Sequence, residues 1–152
     1  MRPELEKLIR KHYTRKVYVN LRDTKVPLEN SRWGKKVSVK LVDRLKKQVD
    51  AQLLYASDED YDVSELIKFF DGRIFLRVSF IGPYGYMSLK GMKGEDREEY
   101  RKKVTKIKKV LKEFNIELLS AEEIIEPVAW LETGDSLVGD FVKVWNCLFC
   151  EY

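Results

Sequence analysis

Between Glu95 and Phe114, the residues Tyr100, Val104, Ile107, Leu111 and Phe114 recur at steps of four, three, four and three. That spacing predicts a long helix with a single apolar stripe, and a stripe of this kind must be laid on another apolar layer. Just upstream, Arg73 to Ile81 alternates with period two: Ile74, Leu76, Val78 and Phe80 fall on one face, Phe75, Arg77, Ser79 and Ile81 on the other. A strand of this pattern offers such a layer. Helix and strand together define an α+β chain with a mostly antiparallel sheet and packed helices, one of them long and amphipathic. At 152 residues the natural reading is one globular domain over 1–152, large enough for an ordinary core without staples.

The remaining elements follow from the same two periods. Pro3, Leu5, Leu8, Ile9 and His12 predict a short opening helix, and Lys16 to Arg22 a half-buried strand. Val39 to Leu54 fits either period; a helix from near Ser38 to Asp50 followed by a strand from Gln52 to Ala56 is favoured. Asp62 with Glu65 has the form of a capping box, so Leu66 to Phe70 is expected to be a short helix stopped by Gly72. Gly82, Pro83, Tyr84 and Gly85 form a turn from which Tyr86 to Leu89 returns as a partner strand. Ser120 and Glu123 make a second capping box, and Phe141 to Phe149, apolar on both sides, is expected to be a covered strand.

Charge is unevenly distributed along the chain. The total is +4, but residues 1–50 balance at +9, 51–93 at −1, 94–114 at +3 and 115–152 at −7. Two arrangements satisfy these numbers: a bipolar surface that steers partners, or ends that pack side by side and neutralise each other. A hydrophobic content of 44% against 36% charged residues excludes a disordered chain, and no apolar run approaches the ~20 residues of a spanning helix. Charges run through the first thirteen residues where a secretion signal would be apolar, so the expected place is the cytoplasm, with no membrane partner.

The chemistry the chain can mount is restricted. His12 is the one histidine, and Ser-His or Cys-His nucleophiles require an imidazole base. Cys147 and Cys150 form a C-x-x-C at the end of an expected strand rather than at a helix start, and no second pair completes a zinc site. Asp58, Asp60 and Asp62 resemble the start of a calcium loop, but Val63 and Phe69 stand where glycine and a bidentate glutamate are required. Neither glycine pair, Gly82 with Gly85 or Gly91 with Gly94, matches a P-loop or dinucleotide fingerprint. No catalytic residue, metal or cofactor is therefore expected, and the chain reads as a binding protein.

Two surfaces suit a protein partner. Tyr84 and Tyr86 are expected at a hairpin tip, where aromatics anchor interfaces. The acidic set Glu122, Glu123, Glu126, Glu132, Asp135 and Asp140 suits a basic, nuclease-like partner. An alternative is a nucleic-acid-associated module using the basic first third and the lysine-rich helix from Arg97 to Lys112, although the aromatics Tyr100 and Phe114 of that helix lie on its opposite face. An enzyme relying on paired carboxylates alone is a further, weaker alternative.

The order of features in residues 72–152 supports the protein-partner reading. The Gly-Pro-Tyr-Gly hairpin, the lysine-rich helix, the segment Ile125-Glu126-Pro127-Val128-Ala129-Trp130 and the ending Val144-Trp145-Asn146-Cys147-Leu148-Phe149 together resemble the small immunity proteins of bacterial polymorphic toxin systems. The resemblance implies an inhibitor that occupies its toxin's active site or a surface beside it, with no chemistry of its own.

Overall fold

The computed structural model describes residues 1–14, 16, 34–49, 51–54, 64–69, 72–91, 94, 97–133 and 140–149. The expected strand Lys16 to Arg22, the aspartates 58, 60 and 62, Asp135 and Cys150 lie outside these residues, apart from Lys16 itself. The described elements are α1 (Pro3–His12), α2 (Gly34–Gln48), β1 (Ala51–Leu54), β2 (Ser64–Phe69), β3 (Ile74–Ser79), β4 (Tyr84–Leu89), α3 (Arg97–Glu113), β5 (Glu117–Leu118), α4 (Ala121–Ile125) and α5 (Val144–Leu148). The chain is α+β, and the strands form one sheet in the order β1-β2-β3-β4-β5.

The sheet is an antiparallel meander with one parallel addition. Ile67 stands opposite Leu76, which stands opposite Met87, and Phe69, Ile74 and Leu89 make the next row. These rows fall on one face, where Leu41, Val42 and Leu45 of α2 and Tyr100, Ile107, Val110 and Leu111 of α3 complete a hydrophobic cluster. The stripe read from the sequence is thus the buried side of α3. The helix ends in a Schellman turn: Asn115 adopts a left-handed φ of 55°, and the Ile116 N–H donates to the Leu111 carbonyl at 2.9 Å. That reversal delivers β5 beside β4, where Glu117 pairs with Tyr84 and Leu118 with Gly85 in parallel.

The other face carries a second cluster. Leu5 and Ile9 of α1, Ile124 of α4, and Val144, Cys147, Leu148 and Phe149 pack there around Ile81, Tyr84 and Leu119. Polar ties fix the layer to the sheet and to α1: the Ser64 hydroxyl donates to the Phe149 carbonyl at 2.9 Å, and the Tyr13 hydroxyl to the Cys147 carbonyl at 2.8 Å.

Two expected elements have the opposite type. Residues 66–70 were expected as a helix, yet Ser64–Phe69 is β2, hydrogen-bonded between β1 and β3. Six residues are too few for periodicity to separate helix from strand, and pairing along both sides decides it. Glu65 is no cap residue but stands mid-strand opposite Val78, and Gly72, at φ 77°, turns the β2–β3 hairpin. Conversely, Val144–Leu148 is a buried helix rather than a covered strand. Its first turn is closed by the Asn146 side chain, whose Oδ1 accepts from the Lys143 N–H at 2.9 Å. An element apolar on every side is buried whichever way its backbone winds.

Candidate functional site

Three carboxylates of the acidic final quarter, Glu117, Glu123 and Glu126, are paired within the fold. α4 starts with the capping box expected from its sequence: the Glu123 N–H donates to the Ser120 hydroxyl at 3.2 Å, and the Ser120 N–H to Glu123 Oε2 at 2.8 Å. The other oxygen, Glu123 Oε1, is 2.8 Å from Arg2 Nε. Arg2 also pairs with Glu117, and the Met1 ammonium pairs with Glu126. The Ser120 N–H, with help from Arg2 and against partial burial, holds the Glu123 carboxyl below the usual carboxylate range. Of the two arrangements that the charge gradient allows, the structure has the neutralising one at this point.

Tyr84 and Tyr86 are not displayed at a hairpin tip. The register places Gly85 opposite Val78, so the bend is made by residues 80–83 and both tyrosines lie in β4. Tyr84 is buried under α1, with the Arg2 guanidinium 5.8 Å from its ring centroid, and burial pushes its phenol up. Tyr86 is half-buried and meets Trp145 edge-on at 5.7 Å. The Gly-Pro pair marked the turn correctly, but the strand begins one residue after it.

Of the six acidic residues singled out, Glu123 and Glu126 are therefore internally paired, Asp135 lies outside the described residues, and Glu122, Glu132 and Asp140 are exposed. The Glu132 N–H donates to the Lys16 carbonyl at 2.7 Å, which leaves its carboxylate outward.

Beside these exposed carboxylates is a feature the sequence reading missed. After α4 the chain runs antiparallel to the residues entering α5: Pro127 bridges Lys143, Val128 N–H donates to the Val142 carbonyl at 2.8 Å, and Val144 N–H to the Glu126 carbonyl at 3.0 Å. Side chains alternate across such a ribbon. Val128, Val142 and Val144 point into the core, and Pro127, Ala129, Phe141 and Lys143 are turned out. Phe141 is 65% exposed and Ile125, at the end of α4, 59%. The signal was present as the alternation Phe141-Val142-Lys143-Val144, with a large aromatic in phase with a lysine.

The lysine-rich faces occupy the opposite side of the molecule. α2 and α3 lie side by side, joined by Arg44 Nε and Glu113 Oε2 at 3.0 Å, and Arg44 holds the Glu113 carboxyl low. Lys102 and Lys103 are partnered by Glu98 and Glu99 one turn back, at 3.6 and 3.7 Å. Tyr100 is buried and Phe114 half-buried, so no aromatic is interleaved with the lysines of α3. An open groove of about 440 Å³ at the end of α3 is floored by Leu111, Ile116 and Leu118 and rimmed by Lys108 and Lys112.

His12 is half-buried, its Nδ1 3.1 Å from the Leu8 carbonyl oxygen on its own helix, and Cys147 is fully buried. Among the described residues no three His, Cys, Asp or Glu side chains gather where a metal ion could be held. No described helix is long and apolar enough to cross a membrane. Compared with known proteins, the chain matches no family model, no curated protein and no solved structure.

Proposed function

We propose that this chain is a non-catalytic inhibitor of the immunity type, which neutralises a cognate toxin by covering its active site or the surface next to it. The observation that carries the reading is the outer face of the C-terminal ribbon with the adjoining end of α4, where Ile125, Pro127 and Phe141 stand in solvent, with Lys143 across from Pro127, Glu122 one turn before Ile125 and Asp140 next to Phe141. Exposed aromatic and aliphatic side chains grouped on a rigid element, with charge around them, are the composition of a binding patch. Phe141 supplies a large anchor whose burial favours association, and the carboxylates supply steering toward a cationic partner. The ribbon is held from behind by Val128, Val142 and Val144, so the patch loses little conformational freedom on binding.

Co-expression with the polypeptide encoded by the adjacent gene, followed by affinity capture and size exclusion, tests this. The expected result is a stoichiometric complex that Phe141→Asp disrupts while leaving thermal stability unchanged. A neighbouring product that does not copurify, or a complex indifferent to both Phe141→Asp and Ile125→Asp, would overturn it.

A further inference from the structure

Among the described residues, α5 covers only one end of the second sheet face, the end where Trp145 stacks near Arg77 and Tyr86. Toward the other end, β2, β3 and β4 align Lys68, Phe75 and Ser88 in one cross-strand row, with Lys90 just past β4. Phe75 and Lys68 are half-buried and Lys90 is exposed. Both ammoniums gather on one ring: Lys90 Nζ is 4.9 Å and Lys68 Nζ 6.0 Å from the Phe75 centroid. Gly72 keeps room for this, since a Cβ there would overlap the Lys68 side chain at Cε. Neither ammonium has a carboxylate partner among the described residues, and alternation along β2, β3 and β4 directs none to this face.

We propose that this face binds single-stranded nucleic acid, with phosphates on Lys68 and Lys90 and a base stacked on Phe75. An aromatic ring is a poor partner for an ammonium compared with a phosphate oxygen, so a polyanion draws both lysines off the ring and bares it. Tyr86, one row further along β4, is taken up by Trp145, so Phe75 is the ring this end of the face offers. An aromatic ring on a central strand with a cation on either side suits one stacked base and its flanking phosphates. The lysines of α3 do not offer this combination, because their aromatics face inward. The surface shares no residue with the Phe141 patch, so it stands or falls separately from the inhibitor reading.

Fluorescein-labelled 20-mers of dT and of rU, titrated with the full chain at low salt and followed by anisotropy, test the proposal. Binding of either oligonucleotide is expected, weakening at least about tenfold between ~50 and ~200 mM salt. Lys90→Glu, at an exposed position that folding does not depend on, should weaken binding about tenfold or more, and Phe75→Leu, which keeps an apolar side chain but removes the stacking plane, about fivefold. Lys106→Glu/Lys109→Glu on α3 should change it less than twofold. Absence of binding to both 20-mers at ~50 mM salt, a loss in the α3 variant equal to that of Lys90→Glu, or full retention by Phe75→Leu would each overturn it. The ratio of dT to rU affinity assigns the sugar.

Discussion

Arg2 Nε and Glu123 Oε1 lie 2.8 Å apart, joining the residue before α1 to the first turn of α4. The same carboxylate closes the α4 capping box through its second oxygen, so one side chain serves both a local and a long-range role. Its folded-state pKa is held below the ordinary 4.5, and a carboxylate with a depressed pKa contributes stability above its unfolded pKa that is lost as pH falls through the folded one. The protein should therefore lose stability on acidification below about pH 4.5, and Glu123→Gln should lower stability at neutral pH and flatten that acid limb. Ser120→Ala, which removes only the cap, should cost about 1 kcal/mol. Urea midpoints measured from pH 7 down to pH 3 check both.

Two phenylalanines eight residues apart should behave oppositely. Phe141 is 65% exposed and Phe149 wholly buried. Phe141→Ser should stay within about 0.5 kcal/mol of the parent. Phe149→Ala should cost about 3 to 5 kcal/mol through lost burial and the cavity left against Trp145. Thermal denaturation of the two variants side by side is the measurement.

Gly82 is buried in the β3–β4 connection, where a Cβ would overlap the Leu8 Cδ2 of α1. Gly82→Ala should turn the half-buried Leu8 side chain aside and cost about 1 kcal/mol, the low end of overpacking. Leu8→Ala in the same chain should restore part of that loss, and a double-mutant cycle reads the coupling.

Cys147 has no exposed surface, so with Cys150→Ser in place the remaining thiol should react with a disulfide reagent only in denaturant. Reaction under native conditions at a rate equal to that of the unfolded chain would contradict the buried α5.

The elements that were legible in the sequence are those whose period had length to express itself. α1 and α3 kept their stripes over ten and seventeen residues, β3 its alternation, and the Ser120–Glu123 box its two partners. β2 and α5 were not legible, because six and five residues sample either period too briefly and their type is decided by neighbours distant in sequence. The site followed the same rule. Composition alone points to the carboxylates Glu122, Glu132 and Asp140, which are exposed, whereas the exposure of Phe141 depends on a bridge between Pro127 and Lys143 that spacing along one segment does not reveal.

Leu5 and Ile9 of the first helix are buried among Leu119, Ile124, Val128 and Val142, and Met1 and Arg2 clasp Glu126, Glu117 and Glu123. The Arg2–Glu117 and Met1–Glu126 pairs join residues 115 and 125 positions apart, while Ile81 and Tyr84 from the middle of the sequence also pack with this helix. The meander and its two-helix cover, assembled from closer neighbours, have what they need earlier. The full seating of α1 is thus a late, high-contact-order step of folding, in which a helix that rests first on the β3–β4 turn is locked by side chains from more than a hundred positions away.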